Sequence, residues 1–168
     1  LLRKLRELFT AAVSDGDAAA PAWRRAVDDA RRQFGVAVTN AEATMQRLIT
    51  EEAPSPYRVE AAMTLLIYGR RMASTLSAIA EARANGDAAP SAAVTKTLGA
   101  ELDSLAAALD GAAPPPASPS IAGSDATAPE IALDDVQGIP ASLQRSQLNR
   151  VRAKLAVMRS AVSRYLAA

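Results

Sequence analysis

The sequence contains no cysteine and no histidine, and aromatic residues make up only 4% of it. Without cysteine, the chain forms no disulfide bond, no iron–sulfur cluster and no thiolate zinc site. Without histidine, it lacks the most common general base and the most common transition-metal ligand, and a serine–histidine triad is excluded. We therefore predict that the protein is not an enzyme and has no catalytic residue, no cofactor and no metal ion. Carboxylate chemistry is the one enzymatic alternative, and it would need a buried, perturbed carboxylate pair in a cleft.

Charge and hydropathy argue against nucleic-acid binding and against a membrane-spanning helix in this sequence. Lysine and arginine together number 19, aspartate and glutamate 18, and the net charge is +1. Because nucleic-acid-binding proteins usually carry a clear basic excess, we predict no nucleic-acid partner. No apolar run approaches the roughly 20 residues that a membrane-spanning helix needs, since the most apolar stretch, 61–68, is followed by Arg70 and Arg71. The chain opens on Leu1 instead of methionine, and we interpret it as a fragment of a longer protein.

The apolar residues recur in steps of three and four, which is the pattern of amphipathic helices. Many of these residues are alanine, and the low aromatic content also favours helix over sheet. The predicted helices cover Leu1–Val13, Pro21–Glu51, Pro56–Ala84, a segment from Pro90 or Ser91 to Gly111, and a segment from Pro140 to the end. We predict an all-α fold, an antiparallel bundle of four principal helices plus an N-terminal helix, in a single domain covering residues 1–168.

Glycine and proline mark the predicted breaks between these helices. Gly16, Gly86 and Gly111 follow helical segments and are predicted to end them. Residues 112–139 are rich in proline, alanine and serine, which predicts a long linker within the domain. Its apolar residues are expected to dock on the bundle: Ile131, Leu133, Val136 and Ile139.

The inward faces of the two longest central helices follow from the same spacing. On the second helix the predicted buried residues are Trp23, Val27, Ala30, Phe34, Ala37 or Val38, Ala41, Met45 and Leu48. On the third they are Val59, Ala62 or Met63, Leu66, Gly69, Ala73, Leu76 and Ala80. A glycine inside a helix costs roughly 1 kcal/mol relative to alanine. At Gly69 this cost can be offset if another backbone packs closely there.

The second predicted helix carries a cluster of charges of both signs: Arg24, Arg25, Asp28, Asp29, Arg31 and Arg32. Several of them are four residues apart, as in Arg24 with Asp28, and such pairs contribute a few tenths of a kcal/mol each on an exposed helix. The spacing predicts a solvated face. A patch for anionic lipid headgroups or for a partner is the alternative.

Two further arginines, Arg70 and Arg71, follow an apolar turn of the third predicted helix. We expect them to meet Glu42, or Glu51 and Glu52, across the hairpin that joins the second and third helices. A site for an anionic ligand is the functional alternative.

Five short segments, in their order along the chain, resemble a known family. They are Trp23-Arg24-Arg25-Ala26 with Asp29-Ala30-Arg31, then Asn40-Ala41-Glu42-Ala43-Thr44-Met45-Gln46-Arg47-Leu48-Ile49, the turn Glu51-Glu52-Ala53-Pro54, and Leu65-Leu66-Ile67-Tyr68-Gly69-Arg70-Arg71-Met72-Ala73. This order resembles the C-terminal cytoplasmic domain of the FUSC family, the fusaric acid resistance or aromatic acid exporter group of bacterial inner-membrane proteins. The resemblance is concentrated in residues 23–80.

The resemblance implies a location and a role. The chain would be the cytoplasmic domain of an inner-membrane efflux transporter for aromatic acids or related small organic compounds. It would act in assembly or regulation, because the transport itself would be carried out by membrane helices outside this sequence. The implied partners are its own transmembrane domain and further copies of the chain, with contact to anionic lipid headgroups as an additional expectation.

A second hypothesis needs no membrane protein. Alanine-rich amphipathic helices with a proline-rich segment are also typical of stand-alone helical scaffolds, such as coiled-coil adaptors or phasin-like granule proteins. That hypothesis predicts a complete gene of about this length and self-association of its product.

Overall fold

The computed structural model describes residues 1–50, 55–111 and 139–168, with side chains of the last segment described from residue 145 onward. Within these ranges the chain forms five helices and no strand: α1 (Leu2–Val13), α2 (Pro21–Thr50), α3 (Pro56–Ala84), α4 (Ala92–Leu109) and α5 (Ile139–Ala167). The all-α prediction is confirmed, and the helices begin and end close to the predicted residues. Most of the predicted linker lies outside the described residues, as do Ile131, Leu133 and Val136. Ile139, assigned to that linker, instead begins α5.

The shortest helix, α1, lies among three others. It has 12 residues and contacts α2, α3 and α4. Its buried residues are Leu2, Leu5, Leu8, Phe9, Ala12 and Val13. Leu5 and Phe9 are fully buried, and a side chain of this kind contributes roughly 1.5–3 kcal/mol when it leaves water. The N-terminal helix is therefore a full member of the core.

The third helix is buried over a wide arc because α1, α2 and α5 all pack on it. The predicted stripe is confirmed at Leu66, Gly69, Leu76 and Ala80, whereas Met63 is 44% exposed. The structure also buries residues outside that stripe: Ala61, Leu65, Met72, Thr75, Ile79 and Arg83. A single-face pattern describes a helix with one neighbour, and α3 has three.

Helix α2 has buried residues only between Trp23 and Val38. Trp23, Val27, Ala30, Phe34 and Val38 are buried, as predicted. Its later apolar positions, Ala41, Met45 and Leu48, are half-buried. The apolar stripe of α2 therefore continues past the part of the bundle that covers it.

Two of the three predicted glycine stops are confirmed. Gly86 and Gly111 have φ of 105° and 72°, the left-handed conformation that closes a helix. The prediction for Gly16 was wrong, because Gly16 is not among the glycines with positive φ. The chain instead leaves α1 at Ser14 in an extended conformation, with φ −58° and ψ 146°.

Candidate functional site

An open groove of about 770 Å³ lies where the second half of α2 faces the first half of α3. All five helices contribute residues to its lining. The volume is within the range of roughly 300–1,000 Å³ that is usual for small-molecule sites. Leu1 and Leu2 line it beside the start of α1, and Leu109 and Tyr165 line it near the ends of α4 and α5.

The walls of the groove are mainly aliphatic. From α2 they include Met45 and Leu48, and from α3 they include Leu65 and Leu66. The two α3 leucines are buried, with 7% and 6% of their surface exposed, whereas Met45 and Leu48 are half-buried. The sequence placed Met45 and Leu48 in the core by their spacing. They instead form a surface that the described helices leave partly uncovered.

Three arginines line the same groove, and they differ in their partners. Arg3 forms an ion pair with Asp110 at 2.7 Å between Nη2 and Oδ2. The guanidinium of Arg58 faces the ring of Tyr165, 5.5 Å from its centroid. Within the part of the chain that the structure describes, neither Arg47 nor Arg58 forms an ion pair with a carboxylate. The groove therefore combines apolar walls with an excess of positive charge.

The predicted pairing across the hairpin is confirmed for one of the two arginines. Arg70 of α3 forms an ion pair with Glu42 of α2. Arg71 instead lies over the ring of Tyr68, with its guanidinium carbon 5.2 Å from the centroid. Neither Arg70 nor Arg71 lines the groove, so the anionic-ligand alternative finds no support at these two residues.

The charge cluster at the start of α2 is paired differently from the prediction. Asp28 and Asp29 pair with Arg31 and Arg32, three residues further on, and the predicted pairs four residues apart are not formed. Arg31 also reaches α3, where its Nε donates to Ser77 Oγ at 2.9 Å. The other members are exposed. This part of α2 is a solvated face with one tie to α3.

Arg83, at the end of α3, is a buried arginine that the helical pattern did not indicate. Its two terminal nitrogens donate to the carbonyl oxygens of Ala12, at 2.9 Å, and Gly16, at 3.0 Å. Burial lowers the pKa of Arg83 from its ordinary value, and the charge of Asp15 partly opposes that shift. The spacing of the third helix could not identify Arg83, because its acceptors belong to a distant segment of the chain.

A second cation missed by the sequence is Lys154 of α5. Its Nζ donates to Thr75 Oγ1 at 2.7 Å, and that hydroxyl donates to the carbonyl oxygen of Arg71 at 3.0 Å. Burial lowers the pKa of Lys154, and the nearby charges of Arg150 and Arg71 lower it further. Because the hydrogen bond between Lys154 and Thr75 connects α5 with α3, only the tertiary structure brings these residues together.

Two other features, a metal-binding cluster and a membrane-spanning helix, are absent from the described ranges. No three acidic side chains in residues 1–50, 55–111 and 139–168 gather closely enough to hold a metal ion. None of the helices in these ranges combines the length and the apolar character needed to cross a membrane.

Comparison with known proteins gives no match. No family model matches the chain, and no curated protein and no solved structure matches it at a significant level. The residues of the chain and their geometry are therefore the basis for inferring its function.

Proposed function

We propose that this chain is a non-catalytic helical module of a FUSC-like inner-membrane exporter for aromatic acids or related small organic compounds. The module lies on the cytoplasmic side and acts in assembly or regulation. One observation carries the proposal: the two segments with the strongest resemblance to that family, 40–49 and 65–73, belong to helices that pack against each other, and both segments contribute residues to the lining of one groove.

The first segment contributes most of its residues to the lining of the groove, and the second contributes two. From the first segment the lining residues are Asn40, Ala41, Thr44, Met45, Arg47 and Leu48, and from the second they are Leu65 and Leu66. The ion pair between Glu42 and Arg70 joins the same two segments. Residues that matched only as a sequence pattern thus form a continuous surface, which supports a role in binding.

The proposed function includes a particular arrangement of the helices. We propose that the bundle is antiparallel and built around four principal helices. Arg58 meets Tyr165 near one end of α3, and Thr75 meets Lys154 further along it, so contacts along α3 and α5 run in opposite directions. The pairing of Arg3 with Asp110 supports the same relation between α1 and α4.

Self-association is the proposed means of assembly. Met63 and Ile67 of α3 are 44% and 43% exposed and lie four residues apart, one helical turn, on the same face. Contacts with the transmembrane domain of the same protein and with anionic lipid headgroups complete the proposed set of partners. An exposed apolar pair favours a protein contact, although single exposed apolar residues are common on any surface.

The same exposed pair also favours the second candidate, a stand-alone helical scaffold that self-associates. The two candidates differ in what the complete gene encodes. An exporter needs a hydrophobic region with several membrane-spanning helices in the same open reading frame, and a scaffold does not.

The test is to express the complete gene product with an epitope tag and separate the inner membrane from the soluble fraction. The exporter proposal expects the product in the inner membrane, as a complex larger than one chain after mild detergent extraction. M63E/I67E should reduce the size of that complex, with S74E on the exposed face of α3 as control. A soluble product encoded by a gene of about this length would refute the exporter and leave the scaffold.

A further inference from the structure

We propose that the groove between α2 and α3 binds small amphipathic carboxylates with an aliphatic chain, such as medium-chain fatty acid anions. The proposal is independent of membership in an exporter, because it rests on the shape, the walls and the charge of the groove. The occupant is a small molecule of this class and not a second copy of the chain.

The shape of the groove favours an elongated ligand. Its lining on α2 runs from Ala37 to Leu48, which corresponds to about 16 Å along the helix axis at 1.5 Å per residue. On α3 it runs from Arg58 to Leu66, about 12 Å by the same rise. A trough of this length with a volume of about 770 Å³ has room for one extended chain of small-molecule size.

The chemistry of the walls favours an aliphatic chain over an aromatic ring. Leucine, methionine and alanine side chains dominate the lining, and methionine adapts readily to flexible ligands. Tyr165 is the aromatic residue among the lining side chains, and its ring already faces the guanidinium of Arg58. A ring would therefore find little aromatic surface on which to stack.

The charge of the groove favours an anion. Arg3 is neutralised by Asp110, whereas Arg47 and Arg58 have no ion-paired carboxylate among the described residues. Both arginines belong to the half of the groove nearest the connection between α2 and α3, and the apolar lining continues beyond them to Leu66 and Ala37. Arginine binds carboxylates with two parallel hydrogen bonds. A ligand whose carboxylate binds the two arginines and whose aliphatic chain lies along the apolar lining would match both parts of the groove.

The binding test uses isothermal titration calorimetry of the chain with hexanoate, octanoate and decanoate, each below its critical micelle concentration. We expect saturable binding with one ligand per chain, and an affinity that rises roughly fourfold with each added methylene. Octanol and octyltrimethylammonium have the same chain without the negative charge, and both should bind about tenfold or more weakly. Benzoate, the aromatic comparison, should bind more weakly than octanoate.

Three variants locate the site. R47Q/R58Q should weaken octanoate binding about tenfold and leave octanol binding unchanged. A62F, which places a ring in the groove, should abolish binding of every chain length. R24Q/R25Q removes the same number of charges from exposed positions of α2 outside the groove, so its octanoate affinity should equal that of the unmodified chain. Circular dichroism and the melting temperature establish that each variant is folded, and the arginine variants suffice if A62F does not fold.

Several results would overturn the proposal. Non-saturable heats with every ligand would mean that the groove holds no chain. Equal affinities for octanoate and octanol, or an octanoate affinity unaffected by R47Q/R58Q, would remove the role of the negative charge. Tighter binding of benzoate than of octanoate would show that the groove prefers an aromatic ring to an aliphatic chain. A dimer in analytical ultracentrifugation that dissociates in A62F would assign the groove to a second copy of the chain. None of these results decides whether the gene encodes an exporter, which the fractionation experiment answers separately.

Discussion

Arg83 and Trp23 stack at the end of the bundle that lies away from the groove, with the guanidinium carbon 5.1 Å from the centroid of the indole ring. The same guanidinium donates to the carbonyl oxygens of Ala12, in the last turn of α1, and of Gly16. The positive charge of Arg83 also interacts favourably with the negative, C-terminal end of the α1 helix dipole. One side chain of α3 thus joins α1, the following loop and α2.

Removal of this guanidinium should destabilise the whole fold. We expect R83A to lower the free energy of unfolding by about 3 kcal/mol, because two charged hydrogen bonds are lost and the buried carbonyl group of Ala12 loses its donor. R83K should recover part of the loss, since an ammonium retains the charge but not the forked geometry. Urea unfolding followed by circular dichroism measures both. R25A, at an exposed position, should change stability by no more than about 0.5 kcal/mol, and an equally small effect of R83A would refute the role.

The lowered pKa of Lys154 predicts how its contribution depends on pH. Because the folded chain releases the Lys154 proton at a lower pH than the unfolded chain, the unfolded state binds more protons in that range, and stability rises with pH. Stability should therefore rise, relative to K154M, as the pH increases towards the ordinary lysine value of 10.5. Below the lowered pKa the difference between the two proteins should be constant. Urea unfolding at a series of pH values measures the difference.

A matched substitution checks this assignment. K96M removes an exposed lysine from α4, and its stability difference from the unmodified chain should not follow the same pH dependence. If the stability of the unmodified chain relative to K154M falls with rising pH, the pKa of Lys154 is not lowered by burial of its ammonium group against Thr75.

Glycine-to-alanine substitutions should stabilise or destabilise the chain according to local geometry. A Cβ at Gly69 would lie 3.5 Å from Leu1 Cδ2, an ordinary contact, so G69A should stabilise by about 1 kcal/mol through helix propensity. No close approach of another backbone offsets the cost of Gly69, because the nearest atoms there are side-chain atoms of Leu1 and Phe34. G35A, with open space around it, should stabilise similarly. G86A should destabilise by about 1 kcal/mol, because φ at Gly86 is 105°.

A close contact at Gly99 provides a finer comparison. A Cβ there would lie 2.9 Å from Nη2 of Arg6, which is the end of a flexible side chain. Arg6 would have to move and would weaken its ion pair with Asp103, which is formed at 3.1 Å. G99A should therefore raise the melting temperature by less than G69A does. An equal rise in melting temperature would show that the ion pair between Arg6 and Asp103 contributes nothing to stability.

The ion pair between Glu42 and Arg70 should contribute little to stability. Their side chains are 40% and 51% exposed, and exposed pairs typically contribute about 0.2–1 kcal/mol. A double-mutant cycle with E42Q and R70Q should give a coupling energy in that range, and the coupling should decrease at high salt. A coupling above about 2 kcal/mol would mean that the two segments depend on this pair far more than exposure allows.

The sequence predicted the parts of the fold that depend on local pattern. Pro21 and Pro56 begin the two longest hairpin helices where expected, and the steps of three and four identified the core face of the first half of α2. These features follow from capping, proline geometry and periodicity, each of which acts over a few residues.

The parts that the sequence did not predict all depend on which helices are neighbours. The wide burial of α3 reflects its three neighbours, and the donors to Ala12 and Thr75 come from residues distant in the chain. The groove was missed for the same reason. Periodicity placed Met45 and Leu48 on an apolar face, but it could not show that the described helices leave this face open.

The position of α1 has a consequence for the order in which the chain folds. During synthesis α1 is made before two of its three packing partners, α3 and α4, which are completed only at Ala84 and Leu109. Until then Leu5 and Phe9, which are fully buried in the finished fold, lack most of their cover. Such long-range contacts slow folding and leave apolar surface exposed to aggregation. We therefore expect α1 to depend on protection by chaperones until α3 and α4 have been made.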